Sequence, residues 1–162
     1  MANLCITGLE KLRNILLTSA NMALAEIAAR DGEHWKLLEE KAVLTENIPA
    51  GLADQNRSTV YPAVYLYSLR MENILRRKFG GFSGPIRFVA DVRCTGERYD
   101  GLERELSSYV EAATTGLAGS TGPWGKNLIY SGAYTVKFEP VKLGGRNFIQ
   151  SAKIELEVEA CG

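Results

Sequence analysis

Regular alternation of apolar and polar residues in three segments is the feature that most constrains the fold of this chain. Residues 86–94 place apolar side chains at every even position and polar ones at the odd positions, with Val89 as the exception. Residues 128–138 and 148–158 show a similar alternation. A period of two is typical of strands that bury one face of a sheet. Two glycines at 144–145 predict a turn, so the last two strands should pair as an antiparallel hairpin.

Apolar residues at helical spacing predict two helices. The first is expected over 7–31, because Gly32 tolerates the left-handed conformation that ends a helix. The second is expected over 101–115, with Asp100 as its N-cap and Gly116 just beyond its end. Together these elements predict an α+β fold, an antiparallel sheet of about four to five strands with two helices packed on one face.

The chain of 162 residues has the length of one domain, so we assign 1–162 to a single unit. Residues 41–46 are expected to form a strand. The polar segment at about 46–59 reads as a long exposed loop or arm. Residues 73–79 predict a shorter, basic strand before a Gly-rich loop.

The strand predicted over 60–69 is apolar on both faces, unlike the three alternating strands. A strand with only one face on the core should alternate, so a second cover is expected. Either a loop of the same chain or another subunit can supply that cover. The candidate subunit interface consists of Tyr61, Val64, Tyr65, Tyr67 and Leu69.

The composition offers little for catalysis or cofactor binding. The chain has a single histidine, His34, and three widely spaced cysteines that form no CxxC motif, so reduced thiols are expected. The glycines before Lys126 lack the spacing of a phosphate-binding loop. We therefore predict no catalytic residues, no cofactor and no metal. No apolar run approaches the roughly 18 residues of a membrane span, and no secretory signal is expected.

Charge is balanced overall, with 19 basic and 19 acidic residues, which disfavours a dedicated nucleic-acid binder. A basic cluster is expected to form a solvated strand face or an interface with an acidic partner, with contact to a phosphate backbone as the alternative. Its members are Arg70, Arg76, Arg77, Lys78 and Arg87. An acidic row on the last strand either aids solubility or repels passing DNA. The row consists of Glu155, Glu157 and Glu159, and together with Lys153 it forms the candidate lumen face.

The order of these elements resembles the tail terminator, or tail completion, proteins of tailed bacteriophages. The likeness covers roughly residues 60–160, with the Tyr-Pro-Ala-Val-Tyr strand at 61–65, the alternating strand 86–94, the amphipathic helix 102–117 and the final hairpin. The first helix agrees by position.

The resemblance implies a structural function without chemistry. Such proteins assemble as homohexameric rings that cap the tail tube, end its polymerisation and join it to the head connector while DNA passes through. The implied partners are further copies of the chain, the tail tube protein and the head–tail connector or stopper protein. The implied location is the virion neck, assembled in the cytoplasm of the bacterial host. Candidate partner loops contain Phe79, Phe82, Pro85 and Trp124.

Two alternative functions stay open at the level of sequence. One is a related neck component, a head–tail stopper or joining protein, which differs in its partner. The other is a small α+β enzyme or ligand-binding domain, in which His34 or Cys94 would act in a site on the sheet.

Overall fold

A computed structural model describes residues 3–56, 58–74 and 81–161 and shows an α+β fold. The helices are α1 (Leu4–Ile15), α2 (Asn21–Asp31), α3 (Ala50–Asp54) and α4 (Leu102–Ala118). A π-helical turn, Leu16–Ala20, joins α1 to α2, and a 3₁₀ turn, Glu40–Ala42, precedes the first strand. The strands are β1 (Val43–Leu44), β2 (Ala63–Met71), β3 (Ser83–Gly96), β4 (Gly122–Pro123), β5 (Leu128–Phe138), β6 (Lys142–Leu143) and β7 (Phe148–Cys161).

The seven strands form one mixed sheet, which is larger than the four to five antiparallel strands predicted. Its order is β1-β2-β3-β7-β5-β4, and β6 pairs with one end of β7. Among the pairings of the described residues, only the short pair β1–β2 is parallel. The four long strands arise where alternation or β-forming residues predicted them, and β5 pairs with β7 as expected. β1 lies within the strand predicted over 41–46 but spans only two of its residues. The prediction missed β4 and β6 because two residues are too few to show a period.

One hydrophobic cluster joins the helices to the sheet. It contains buried residues of α1, α2 and α4 together with the inward side chains of β2, β3 and β7. α1 packs closely on β3 at Gly8, where an added Cβ would lie 2.3 Å from Cζ of Phe88. Glycine is therefore needed at this position for the helix to approach the buried ring. The opposite side of the sheet is called the outer face below.

The ends of α4 differ from the sequence prediction. Gly101, in the left-handed conformation, is the N-cap, and it makes no capping side-chain bond. Asp100 instead accepts a hydrogen bond from Arg98 at 3.0 Å. The helix also continues through Gly116 to Ala118. Gly116 is a packing glycine, since an added Cβ would lie 3.0 Å from the backbone nitrogen of Ala20.

The segment predicted as a strand followed by an exposed arm instead contains a docked helix. Ala53 and Asp54 of α3 are buried. The Asp54 carboxylate accepts a hydrogen bond from the backbone N–H of Arg146 at 2.9 Å, which ties α3 to the turn before β7. The flanking residues 45–47 and 55–56 are exposed. Three buried small or apolar side chains were too few to reveal this helix by periodicity.

The basic strand expected over 73–79 lies largely outside the described residues. Asn73 and Ile74, which are described, belong to no strand. Of the predicted basic cluster, Arg76, Arg77 and Lys78 also lie outside the described part of the chain.

Candidate assembly surfaces

One end of the sheet leaves apolar side chains in solvent on β5. Tyr134 and Phe138 are 42% and 44% exposed, and Val136 between them is half-buried. Their partners in the register with β7 are the buried residues Leu156, Ile154 and Ala152. The three side chains therefore lie on the core side of the sheet, where they remain uncovered. Tyr134, Val136 and Phe138 are called the β5 edge surface.

The backbone of β5 is unpaired along this surface within the described residues. The neighbouring strand β4 reaches only Ile129 and Tyr130. The N–H of Glu139 donates to the carbonyl of Ser151 at 2.9 Å, in register with the β5–β7 ladder. Because alternate residues of an antiparallel ladder direct their backbone groups to opposite sides, the N–H and C=O groups of the β5 edge surface point away from β7.

A second open edge lies on β2. The short strand β1 pairs only with Val64 and Tyr65. From Tyr67 to Met71, no described strand pairs with the edge of β2 that lies away from β3. Leu69 and Met71 are 51% and 45% exposed. A bulge between Ser68 and Arg70 interrupts the ladder with β3 here. Tyr67, Leu69 and Met71 are called the β2 edge surface.

The candidate subunit interface is thus divided by the structure. Val64 is buried in the main core, and Tyr65 is 1% exposed in a second small cluster with Ala53 and Ala63. Tyr61 packs beside this cluster. The main core covers Val64, and residues of α3 and β1 pack around Tyr65 on the second face of β2, so both are inaccessible to a partner in this conformation. Tyr67, half-buried, and the exposed Leu69 remain available.

The candidate partner loops are also divided. Phe79 lies outside the described residues. Phe82 packs partly against the core, and Pro85 lies within β3 opposite Glu159. Trp124, the last of the candidate partner-loop residues, is only 2% exposed.

Local hydrogen bonds and ring packing explain the burial of Trp124. Its Nε1 donates to the carbonyl of Ser120 at 2.8 Å, and its ring centroid lies 4.9 Å from that of Tyr130. Positive φ angles at Gly122 and Gly125 allow the tight path that carries the indole inward. Trp124 is therefore inaccessible to a partner in this conformation.

The candidate lumen face lies on the outer face of β7, as its alternation predicted. Its acidic residues are partly neutralised. Arg87 donates from Nε to Glu157 at 3.0 Å and forms a longer ion pair with Glu155 at 3.5 Å. Lys153 is the register partner of Lys137 on β5. Cations from neighbouring strands therefore balance much of the acidic row.

A buried ion pair forms the floor of a pocket on the outer face. Arg93 donates from Nη2 to Asp91 at 2.8 Å and to the carbonyl of Ile48 at 2.5 Å. Its guanidinium carbon lies 4.1 Å from the centre of the Tyr65 ring. The cavity above the pair has about 430 Å³, and the unpaired Lys142 and Lys153 contribute to its lining. One Asp91 oxygen and one Arg93 nitrogen are buried without a partner.

The two groups proposed for catalysis in the enzyme alternative have different surroundings in the structure. Cys94 is fully buried, and burial raises the pKa of its thiol, which disfavours the reactive thiolate. His34 lines a surface groove formed by Ala25, Ala29 and Lys36 among others. The three cysteines are free thiols. No group of three metal-ligating side chains lies together among the described residues.

Burial also acts on the tyrosines of the core. It raises the pKa of Tyr130 to about 12 and, with the nearby Asp54 carboxylate, raises that of Tyr61 further. These phenols therefore stay neutral over the physiological pH range.

No described helix is both long and apolar enough to cross a membrane.

Sequence reasoning missed the β5 edge surface and Met71. It assigned Tyr134, Val136 and Phe138 to a core-facing strand face, and the register agrees with that assignment. Their exposure follows from strand order and from the extent of the helices, which are properties of the tertiary fold. No local sequence signal distinguishes them from the buried residues of β3.

Comparison with protein-family models and with curated proteins found no match for this sequence.

Proposed function

We propose that this chain is a structural subunit of the neck of a tailed bacteriophage. It forms a homohexameric ring in the virion that caps the tail tube, ends its polymerisation and joins it to the head connector. DNA passes through the ring as cargo, and the chain itself carries out no reaction. Assembly takes place in the bacterial host cytoplasm.

The observation that carries the proposal is the pair of uncovered edges at opposite ends of one sheet. Leu69 and Met71 are exposed at one end, and Tyr134 and Phe138 at the other. Open edges with apolar side chains favour pairing with another chain. A contact between two different surfaces of identical copies is heterologous, and such contacts form closed rings when the rotation between copies closes.

The charge pattern of the outer face supports its assignment to the lumen. Arg87 and Lys153 offset the acidic Glu155 and Glu157, while Glu159 adds further negative charge. A surface close to neutral, with a slight acidic excess, neither captures a polyanion nor strongly opposes its entry. This is the behaviour required of a channel through which DNA slides.

The experiment adds purified protein to tail tubes that are still polymerising, with tube lengths and ends viewed by negative-stain electron microscopy. Capping predicts ring-shaped density at one tube end and shorter tubes as the protein concentration rises. Tubes of unchanged length with bare ends would contradict the proposed function. Density at the portal-side connector alone would instead indicate a stopper or joining protein.

A small ligand-binding domain is the second candidate, and the pocket above Arg93 favours it. Two unpaired ammonium groups, of Lys142 and Lys153, face a cavity large enough for a small anion. Titration with inorganic phosphate, followed by NMR amide shifts, separates the two functions. Saturable shifts at Lys142 and Lys153, lost in K142A/K153A, would support a ligand site; unchanged spectra would remove this candidate.

A further inference from the structure

We infer that β5 of one copy pairs with β2 of the next copy in an antiparallel junction, so that the sheets of the ring form one circular sheet. This inference rests on the proposed ring function and names the surfaces that close it.

Strand directions within one chain fix the direction of the junction. β2, β3, β7 and β5 follow one another in the sheet through antiparallel pairings, so β5 runs opposite to β2. Rotation about an axis parallel to the strands leaves each strand direction unchanged. β5 of one copy would then meet β2 of its neighbour in the antiparallel sense, continuing the pattern of the sheet.

The open stretches of the two edges match in length, and each presents apolar groups on the core side of the sheet. They run from Tyr67 to Met71 and from Tyr134 to Phe138. Met71 is the register partner of the buried Ile86, so it lies on the core side of the sheet, as Tyr134 and Phe138 do. Joining the edges would place Met71 on the same side of a common sheet as Tyr134 and Phe138. Tyr67, the register partner of Val89, lies on the outer face.

Pairing of β5 with β2 also covers more of the exposed apolar side chains than pairing of β5 with β5. If β5 met β5 of a second copy, Leu69 and Met71 would stay exposed in the resulting dimer. A β5–β2 junction covers both edge surfaces of every copy in a closed ring. Circular closure is the arrangement that removes sheet edges altogether.

Backbone-directed variants test the junction. Val136 points its N–H away from β7, so V136P removes an edge donor without removing a bond of the β5–β7 ladder. V136T keeps the N–H and is the matched control. We expect V136P to weaken ring formation about tenfold or more, the effect of losing a backbone hydrogen bond. V136T should assemble like wild type in native mass spectrometry.

Side-chain variants keep the test valid if proline disturbs the fold. Y134K places a charge on the β5 edge surface, and L69K places one on the β2 edge surface. M22K, at an exposed position on α2, is the control for an added surface charge. Circular dichroism and thermal unfolding verify that each variant folds.

Mixing the Y134K and L69K variants shows which edges pair with each other. With a β5–β2 junction, Y134K and L69K are each monomeric alone, and an equimolar mixture forms dimers through the one intact pair of edges. An L69K or Y134K protein that still forms rings, together with a V136P protein that forms rings at the same concentration as wild type, would overturn the junction and leave the ring intact. Wild type that never forms rings would overturn both the ring and the junction.

Discussion

The buried ion pair of Arg93 and Asp91 is the single-residue feature with the largest expected effect on stability. Both side chains are almost fully buried, and the guanidinium also bonds the carbonyl of Ile48 beside α3. The sequence indicated that both residues lie on the polar face of β3. It did not indicate their burial, because the covering α3 is too short to recognise.

Replacing one member of the pair should lower the free energy of unfolding far more than replacing both members. R93M leaves the Asp91 carboxylate buried without a counter-charge, which typically costs about 3–5 kcal/mol of unfolding free energy. The double variant D91L/R93M should recover most of that loss. Urea unfolding measures both, and R98M, which breaks an exposed pair with Asp100, is the control with little expected effect. Equal losses in R93M and R98M would show that the pair is unimportant for stability.

Glu105 gives a prediction about pH. Its partial burial raises the pKa of its carboxyl above the ordinary value of 4.5. The folded state then holds this proton more tightly than the unfolded state, so stability from this group is present in acid and falls as pH rises through the raised pKa. E105Q should remove this pH-dependent contribution to stability. At neutral pH its unfolding midpoint should lie at a higher urea concentration than that of wild type. A difference between the two proteins that does not vary with pH would contradict this reasoning.

Among the elements, predictability followed length and local pattern. The long strands β3, β5 and β7 were predictable because each repeats its alternation many times, and α1 with α2 shows a long helical period. By contrast, α3 and β1 are too short for any period. Gly116 was misread for a different reason. A glycine that ends a helix and a glycine that admits a neighbouring helix look alike in sequence.

Gly116 and Gly51 form a matched pair for testing how closely the helices pack. In G116A the new Cβ would lie 3.0 Å from the Ala20 backbone, and such overpacking costs about 1–3 kcal/mol. The better helix propensity of Ala offsets up to about 1 kcal/mol of this cost. In G51A the new Cβ meets no atom within 4 Å, so its stability should equal or exceed that of wild type. Chemical denaturation that ranks the two variants in the opposite order would contradict the close approach of α4 to residue 20.

At the scale of the whole molecule, the account depends on two sheet edges that one copy leaves open. The sequence predicted that the second apolar face of β2 needs a cover. Residues of α3 and β1 provide that cover for Tyr65. The uncovered apolar residues lie at the ends of the sheet instead. Which strands lie at the ends depends on long-range pairing, which no window of local sequence contains.

Native mass spectrometry of the wild-type chain across a concentration series, alone and with tail tubes, tests ring closure most directly. The account predicts one dominant complex of six copies of 17.8 kDa, about 107 kDa, with no larger species as concentration rises. Monomers of 17.8 kDa at every concentration and in the presence of tubes, or an open-ended series of larger masses, would contradict it.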